Sequence, residues 1–395
     1  MKSRSPGTRI PGDPSGREWL TVSSPLLPDL AAFQAGIAEV FASRWLTNQG
    51  PRARALEAAL AARLGVPRAL LFTNGTLAIE VMLRAAADGG EVIVPAYSFP
   101  ATWNLLCDDP RYTPVFVDVG PDFQLSPAAV AAAITPRTTA IVGVHAYGLP
   151  ADHAALSALA SRHGLRLLYD AAHAFGVTVG GVPLTTWGWA SALSFHATKV
   201  FNTLEGGAIV SPDAAALDAC ASRRSFGFVR GEEQENFGTN GKMDELRALF
   251  GLLNLDAVDA AITTRAGIAA AYDARLSALA IDDLVLPGPL FAQPGLAPNF
   301  SYYPLRVQAR PGGPGRDGVE AALKAVGILP RRYFASTAIR SAIYRGLLRL
   351  DALPWTTRFG DEILCLPIHH GMTDGDVDAV VHAIAGAFGA RAEIA

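Results

Sequence analysis

Lysine is scarce in this chain. Of its 33 basic residues four are lysines (Lys2, Lys199, Lys242 and Lys324) and the rest are arginines. Lys199 stands in a polar elbow, His196-Ala197-Thr198-Lys199, between apolar runs at 192–195 and 208–210, with the pair Gly206-Gly207 before the second run. Arginine cannot deprotonate in a protein, whereas a desolvated lysine can, and the neutral amine attacks a carbonyl carbon. The elbow alone is equally compatible with a surface lysine on a loop. Upstream, Asp170 closes an apolar run at 165–169 and is followed by Ala171-Ala172-His173. A strand-end carboxylate commonly caps the next turn; it can also pair with a buried cation. His173 is either a core histidine or a hydrogen-bond donor to a ligand. A third feature is Thr73-Asn74-Gly75-Thr76, between a short buried run at 69–72 and a helical stretch at 77–87. Thr73 or Asn74 can cap that helix. Gly75 lets a ligand approach the backbone, and Thr76 adds a hydroxyl. Free N–H groups at a helix start attract phosphate, although an ordinary capped helix is commoner. The Gly-rich loop and lysine of a nucleoside-triphosphate site are missing.

These residues need a scaffold that brings them together. Strand-like runs at 91–95, 115–119, 140–145 and 165–169 alternate with helical stretches at 127–134 and 152–163, which predicts a parallel sheet with helices on its faces. Ligands in such sheets collect at the carboxyl ends of the strands. Asp170, the 73–76 turn and Phe99, in the loop 97–102, all fall there. Further helices are expected at 26–45, at 52–64 with Leu56, Leu60 and Leu64 on one face, at 213–224 and at 241–255. The polar stretch 226–240, with its acidic run GEEQEN at 231–236, reads as an excursion long enough to reach a neighbouring subunit. A long Ala-rich helix at 257–280 leads to strand-like 302–307 and helical 318–326 and 374–388. The expected division is a flexible N-terminal tail at 1–20, a large domain at 21–256, and a bridging helix with a small domain at 257–395.

Composition narrows the classes. Half the residues are apolar and 17% are charged, as in a globular protein. A net charge of −3 leaves no footprint for nucleic acid. No apolar run approaches a membrane span. Cys107, Cys220 and Cys365 are few, widely spaced and without metal-ligand spacing, so no metal is expected, and a reducing, cytoplasmic setting is. His369-His370 read as structural.

An amine at an elbow, an acid at a strand end, an aromatic at another and a phosphate-ready helix start are what pyridoxal 5′-phosphate requires. Its aldehyde condenses with a lysine, a carboxylate keeps its pyridine nitrogen protonated, and the charged ring acts as an electron sink.

Several strings carry a more specific likeness: NGTLA at 74–78, VFVDV at 115–119, VHAYG at 144–148, DAAHA at 170–174, SFHATK at 194–199, EGGA at 205–208 and TNGKM at 239–243. In this order and spacing, across about 25–390, the chain resembles the DegT/StrS-type nucleotide-sugar aminotransferases, a fold-type-I pyridoxal phosphate family. The resemblance implies a three-layer α/β/α large domain with a mostly parallel sheet and a smaller C-terminal α+β domain. It implies that Lys199 forms the Schiff base and moves the proton, and that Asp170 pairs with the pyridine nitrogen. His173 would lie near the ring hydroxyl and Phe99 would stack on the ring. Gly75, Thr76 and Ser194 would hold the phosphate, with Asn240 reaching the phosphate of the other subunit of an obligatory homodimer. L-Glutamate would be the amino donor and a nucleotide-linked keto-sugar the acceptor. WLTNQGP at 45–51, HATKVFNTLEGGA at 196–208 and NFSYYPL at 299–305 resemble enzymes that act on dTDP-4-keto-6-deoxyglucose to make the 4-amino sugar. A 3-keto-sugar is the alternative within the class. A non-catalytic binding module on the same fold is the alternative outside it, and the retention of Lys199 and Asp170 argues against that.

Overall fold

The computed structural model describes residues 8–9, 16–230, 233–334, 341–348 and 353–390. Its largest sheet has seven strands: β1 (Ala69–Phe72), β2 (Gly90–Pro95), β3 (Tyr112–Val117), β4 (Thr138–Val144), β5 (Arg166–Asp170), β6 (Ala190–Ser194) and β7 (Gly207–Val210). They lie in the order β1-β7-β6-β5-β4-β2-β3. Strands β2 to β6 run parallel, with Asp170 flanked by Val144 and Ala192. Strand β7 is antiparallel to both neighbours.

The two-residue period of the strands divides them between two cores. Leu70, Phe72, Ala192 and Ile209 face one core, with Met82 and Leu217; Leu71, Leu193, Ala208 and Val210 face the other, with Leu56 and Leu60. Both faces are therefore covered by helices, as a parallel sheet requires. Helix α1 (Leu30–Ser43) precedes α2 (Pro51–Leu64), which buries Leu56, Leu60 and Leu64 and ends at Gly65 in the left-handed region. Helix α3 (Gly75–Ala86) starts where Asn74 accepts the Leu77 N–H at 2.8 Å. The C-terminal part packs the helices Val258–Ala278, Gly315–Ala325 and Asp374–Ala387 on an antiparallel sheet of Leu284–Val285, Tyr303–Val307 and Ile363–Leu366. Tyr272, Leu305, Val319, Leu364 and Val380 fill its core. Among the described residues no helix is long and apolar enough to cross a membrane.

Some expectations need correction. The expected tail through 20 does not hold at its end: Glu18–Thr21 pairs with Thr8–Arg9 and with Ile328–Leu329, and Leu20 is buried in the C-terminal core. Residues 1–7 and 10–15 lie outside the described residues. The first helix is shorter than 26–45 because Asp29 caps it. The strand expected at 115–119 runs from Tyr112 to Val117, following β2 along its whole length, and its Pro114 is tolerated because β3 is an edge strand. Residues 241–243 do not open a helix. Gly241 instead donates to the Arg224 carbonyl and accepts from the Thr73 N–H, and the helix Glu245–Leu255 begins after the Asp244 cap. The stretch 226–240 contains a short hairpin, Phe228–Arg230 with Glu233–Gln234, closed by a Ser225–Asn240 bridge. Residues 231–232 of its acidic run lie outside the described residues.

Candidate active site

A cavity of about 480 Å³ opens at the carboxyl ends of β4, β5 and β6 and the N-terminus of α3. Seven of the eight residues singled out in the sequence border it: Gly75, Thr76, Phe99, Asp170, His173, Ser194 and Lys199. Asn240 does not; it is exposed in the hairpin stretch.

Lys199 is presented by the elbow after β6. Phe195 donates its N–H to the Gly206 carbonyl at 2.8 Å, and Lys199 donates its own to the His196 carbonyl at 2.9 Å. The His196 ring braces the turn, its Nδ1 accepting the Thr198 N–H at 3.2 Å. Burial brings the Lys199 ammonium down to about 8; nearby Asp170 opposes this, and the Arg331 charge adds to it. A neutral amine is thus within reach of ordinary pH.

Asp170 is 4% exposed. The Thr102 hydroxyl donates to its Oδ2 at 2.8 Å and the Ala172 N–H to its Oδ1 at 3.1 Å. Burial still raises its pKa, against the pull of those two donors and of Lys199. An acid in that state gains from a cationic partner. His173 accepts the Tyr147 N–H at Nδ1, 3.2 Å away, which assigns its ring proton to Nε2. Burial, with Lys199, holds His173 well below its usual range, so it is a neutral donor.

The helix start is pressed against the strand end. A Cβ on Gly75 would stand 2.9 Å from the Ser194 Cβ, and one on Gly207 would stand 2.7 Å from the Asn74 carbonyl carbon and oxygen. Glycine at both places lets the start of α3 stand close against the end of β6, so that Gly75, Thr76 and Ser194 border the cavity together, and the first N–H groups of a helix have no partner within it. Phe99, 53% exposed, also borders the cavity.

The sequence reading did not identify Thr102, His145, His196, Glu205, Tyr302, Arg331, Tyr333 or Phe334 as site residues. Thr102 is the hydroxyl on Asp170, and the other seven border the cavity. Glu205 lay within the quoted EGGA string and Tyr302 within NFSYYPL; Arg331, Tyr333 and Phe334 carried no signal of spacing.

The DegT/DnrJ/EryC1/StrS aminotransferase family model matches residues 29–385. The chain belongs to this family. It is 35% identical over 365 residues to a dTDP-4-amino-4,6-dideoxy-D-glucose transaminase from Escherichia coli, covering 90% of this chain and 95% of that one. Among solved structures it is similar to DesI in the presence of its TDP-sugar product, with a TM-score of 0.84, 36% identity and 93% of each chain covered. Helicobacter pylori PseC, an aminotransferase involved in pseudoaminic acid biosynthesis, gives a TM-score of 0.85 at 27% identity, covering 94% of this chain and all of that one.

The chain is therefore a sugar aminotransferase, and its cofactor is pyridoxal phosphate. The residues present fit that group. The cavity brings together a helix start, whose free N–H groups would suit a phosphate, a buried carboxylate short of a cation, a neutral imidazole donor and an amine of lowered pKa.

Proposed function

We propose that this chain transfers the amino group of L-glutamate to dTDP-4-keto-6-deoxyglucose, giving dTDP-4-amino-4,6-dideoxyglucose. The observation that carries the reading is similarity over nine-tenths of the chain to a transaminase named for that amino sugar. A likeness to a structure holding a TDP-sugar product points the same way. When bound, pyridoxal phosphate supplies an aldehyde that condenses with amines and a ring that accepts the electrons of a broken C–H bond.

The chain's own groups have distinct tasks in this reading. Asp170 holds a proton at the pyridine nitrogen. His173 donates from Nε2 to the ring hydroxyl. Gly75, Thr76 and Ser194 bind the phosphate, and Phe99 covers the ring. Lys199 anchors the aldehyde at rest. Its Nζ, once free, would take the proton from the donor's α-carbon and later deliver one to the sugar carbon. Asn240 serves the phosphate of a second copy. A homodimer agrees with the apolar side chains left in the open on α1 and the hairpin, among them Leu30 at 66%, Phe41 at 61% and Phe237 at 90% exposure. We place the enzyme in the cytoplasm, where Cys107, Cys220 and Cys365 would stay free thiols.

The test is a spectrum of the purified, cofactor-loaded protein before and after L-glutamate, followed by the keto-sugar and analysis of the product. Loss of the resting absorption band on adding glutamate, its return with the 4-keto-sugar, and a 4-amino product support the reading. Turnover of a 3-keto isomer alone overturns the choice of substrate.

A further inference from the structure

The cavity wall carries two lysine or arginine side chains among the described residues, Lys199 and Arg331. Arg331 and Arg332 are adjacent but differently engaged. Arg332 is held by Asp317 at 2.9 Å and by Glu320. Arg331 has no ion pair among the described residues, and its guanidinium lies 4.8 Å from the centre of the Tyr333 ring, itself part of the wall. Neither carboxylate of the wall is paired with Arg331: Asp170 accepts from Thr102 and Ala172, and Glu205 lies 3.5 Å from the His196 ring.

The backbone beneath Arg331 is fixed. Its N–H donates to the Cys365 carbonyl at 3.0 Å and its carbonyl accepts the Cys365 N–H at 2.8 Å, tying it to a strand buried in the C-terminal core. Two residues on, the Tyr333 carbonyl accepts from the Tyr147 hydroxyl at 3.2 Å and the Tyr97 hydroxyl at 3.4 Å. A cation on a fixed stretch of backbone has thus been set on the wall of the cavity without an anion among the described residues to match it. The missing anion is then a ligand's.

We propose that Arg331 receives the carboxylate of the amino donor. The inference rests on the aminotransferase reading and adds a residue that selects the first substrate. In an amino acid the carboxylate is attached to the carbon that bears the amine, so it must lie beside the group that reacts with Lys199. In a sugar nucleotide the diphosphate is attached at C1, across the ring from a C4 carbonyl. A cation sharing one small cavity with Lys199 suits the first geometry, and a guanidinium fork suits a carboxylate. Docking has an electrostatic consequence. Arg331 helps burial to depress Lys199, so a carboxylate that neutralises Arg331 lets Nζ hold a proton more firmly when it must accept one.

The two half-reactions separate the outcomes. Holoenzyme is mixed with L-glutamate in a stopped-flow spectrophotometer. Enzyme loaded with pyridoxamine phosphate, which needs no amino acid, is mixed with the keto-sugar nucleotide. Arg331→Gln is expected to lose roughly 10- to 100-fold in the glutamate half-reaction, carried by KM, as for a charged hydrogen bond. The sugar half-reaction should change by less than about threefold, and Arg331→Lys should recover part of the loss. Glutarate, which has carboxylates and no amine, should bind the Arg331→Gln holoenzyme more weakly by the same factor in a calorimetric titration. Equal losses in both half-reactions, or a loss confined to the sugar step, overturn the inference and assign Arg331 to packing or to the diphosphate. A wild-type holoenzyme that responds to no amino donor overturns the aminotransferase reading itself, and the inference with it.

Discussion

At the scale of single residues, the site combines groups that are costly to bury apart and favourable to bury with the cofactor. Lys199 has an ammonium lowered to about 8, burial being the main cause. Below that pH the group is charged and cannot attack an aldehyde; above it the free amine is available. The rate at which apoenzyme takes up pyridoxal phosphate should therefore rise with pH and level off above about 8. An ordinary lysine would keep rising toward roughly 10.4. Following the absorption of the bound cofactor across that range checks it, and an inflection near the ordinary value would count against the buried elbow. Asp170 shifts the other way. Its pKa is raised by burial, so the ionised carboxyl costs stability above that raised value, and the cost fades as pH falls and the acid protonates. Asp170→Asn should accordingly raise the melting temperature of the apoenzyme at neutral pH, with the gain shrinking on acidification. The same variant should lose transamination. A variant less stable than the parent at every pH would show that the Thr102 and Ala172 bonds outweigh desolvation.

At the scale of elements, the decisive contact is between the start of α3 and the end of β6. Gly75→Ala would put a Cβ 2.9 Å from that of Ser194. Backbone and strand end must then part, at about 1–3 kcal/mol for overpacking. In the proposed site the parting moves the N–H groups that would face the phosphate, so pyridoxal phosphate affinity should fall about tenfold or more, measured by equilibrium dialysis of the variant. Unchanged affinity would mean that the cradle lies elsewhere. This contact also marks the limit of what sequence could tell. Asn74-Gly75-Thr76 announced a helix start, and Asp170 and Lys199 announced themselves by type at the ends of apolar runs, since such chemistry tolerates few substitutes. The alternation of strands and helices announced the sheet. Thr102 could not be tied to Asp170, 68 residues away, because a hydroxyl in a loop has many uses. Arg331, Tyr333 and Phe334 enter the site through a two-residue bridge to Cys365, a tertiary pairing with no periodicity to betray it. The extended Gly241-Lys242-Met243 segment was hidden for a similar reason. Its backbone bonds go to Arg224 and Thr73, not to a neighbouring turn.

At the scale of the whole molecule, Asn240 lies away from the cavity of its own chain. Asn240 belongs to a segment whose Phe226, Phe228, Val229 and Phe237 side chains are exposed. Large apolar groups in the open mark a surface meant for contact, and in a two-fold dimer each hairpin would serve the other copy's site. Complementation reads this directly. Lys199→Ala removes the amine from a chain's own cavity. Asn240→Asp places a negative charge where, in this arrangement, it would face the partner's phosphate. Each variant alone should be inactive. When the two are unfolded together and refolded in equal amounts, half the dimers are hybrids, and one of the two sites in each hybrid has both Lys199 and Asn240 intact. About a quarter of wild-type activity should return on simple two-fold counting, in a species of twice 41.5 kDa by sedimentation. Full activity of Asn240→Asp by itself would show that each cavity is self-sufficient. A dimer that forms without any recovery would show that Asn240 acts on its own chain and not across the interface.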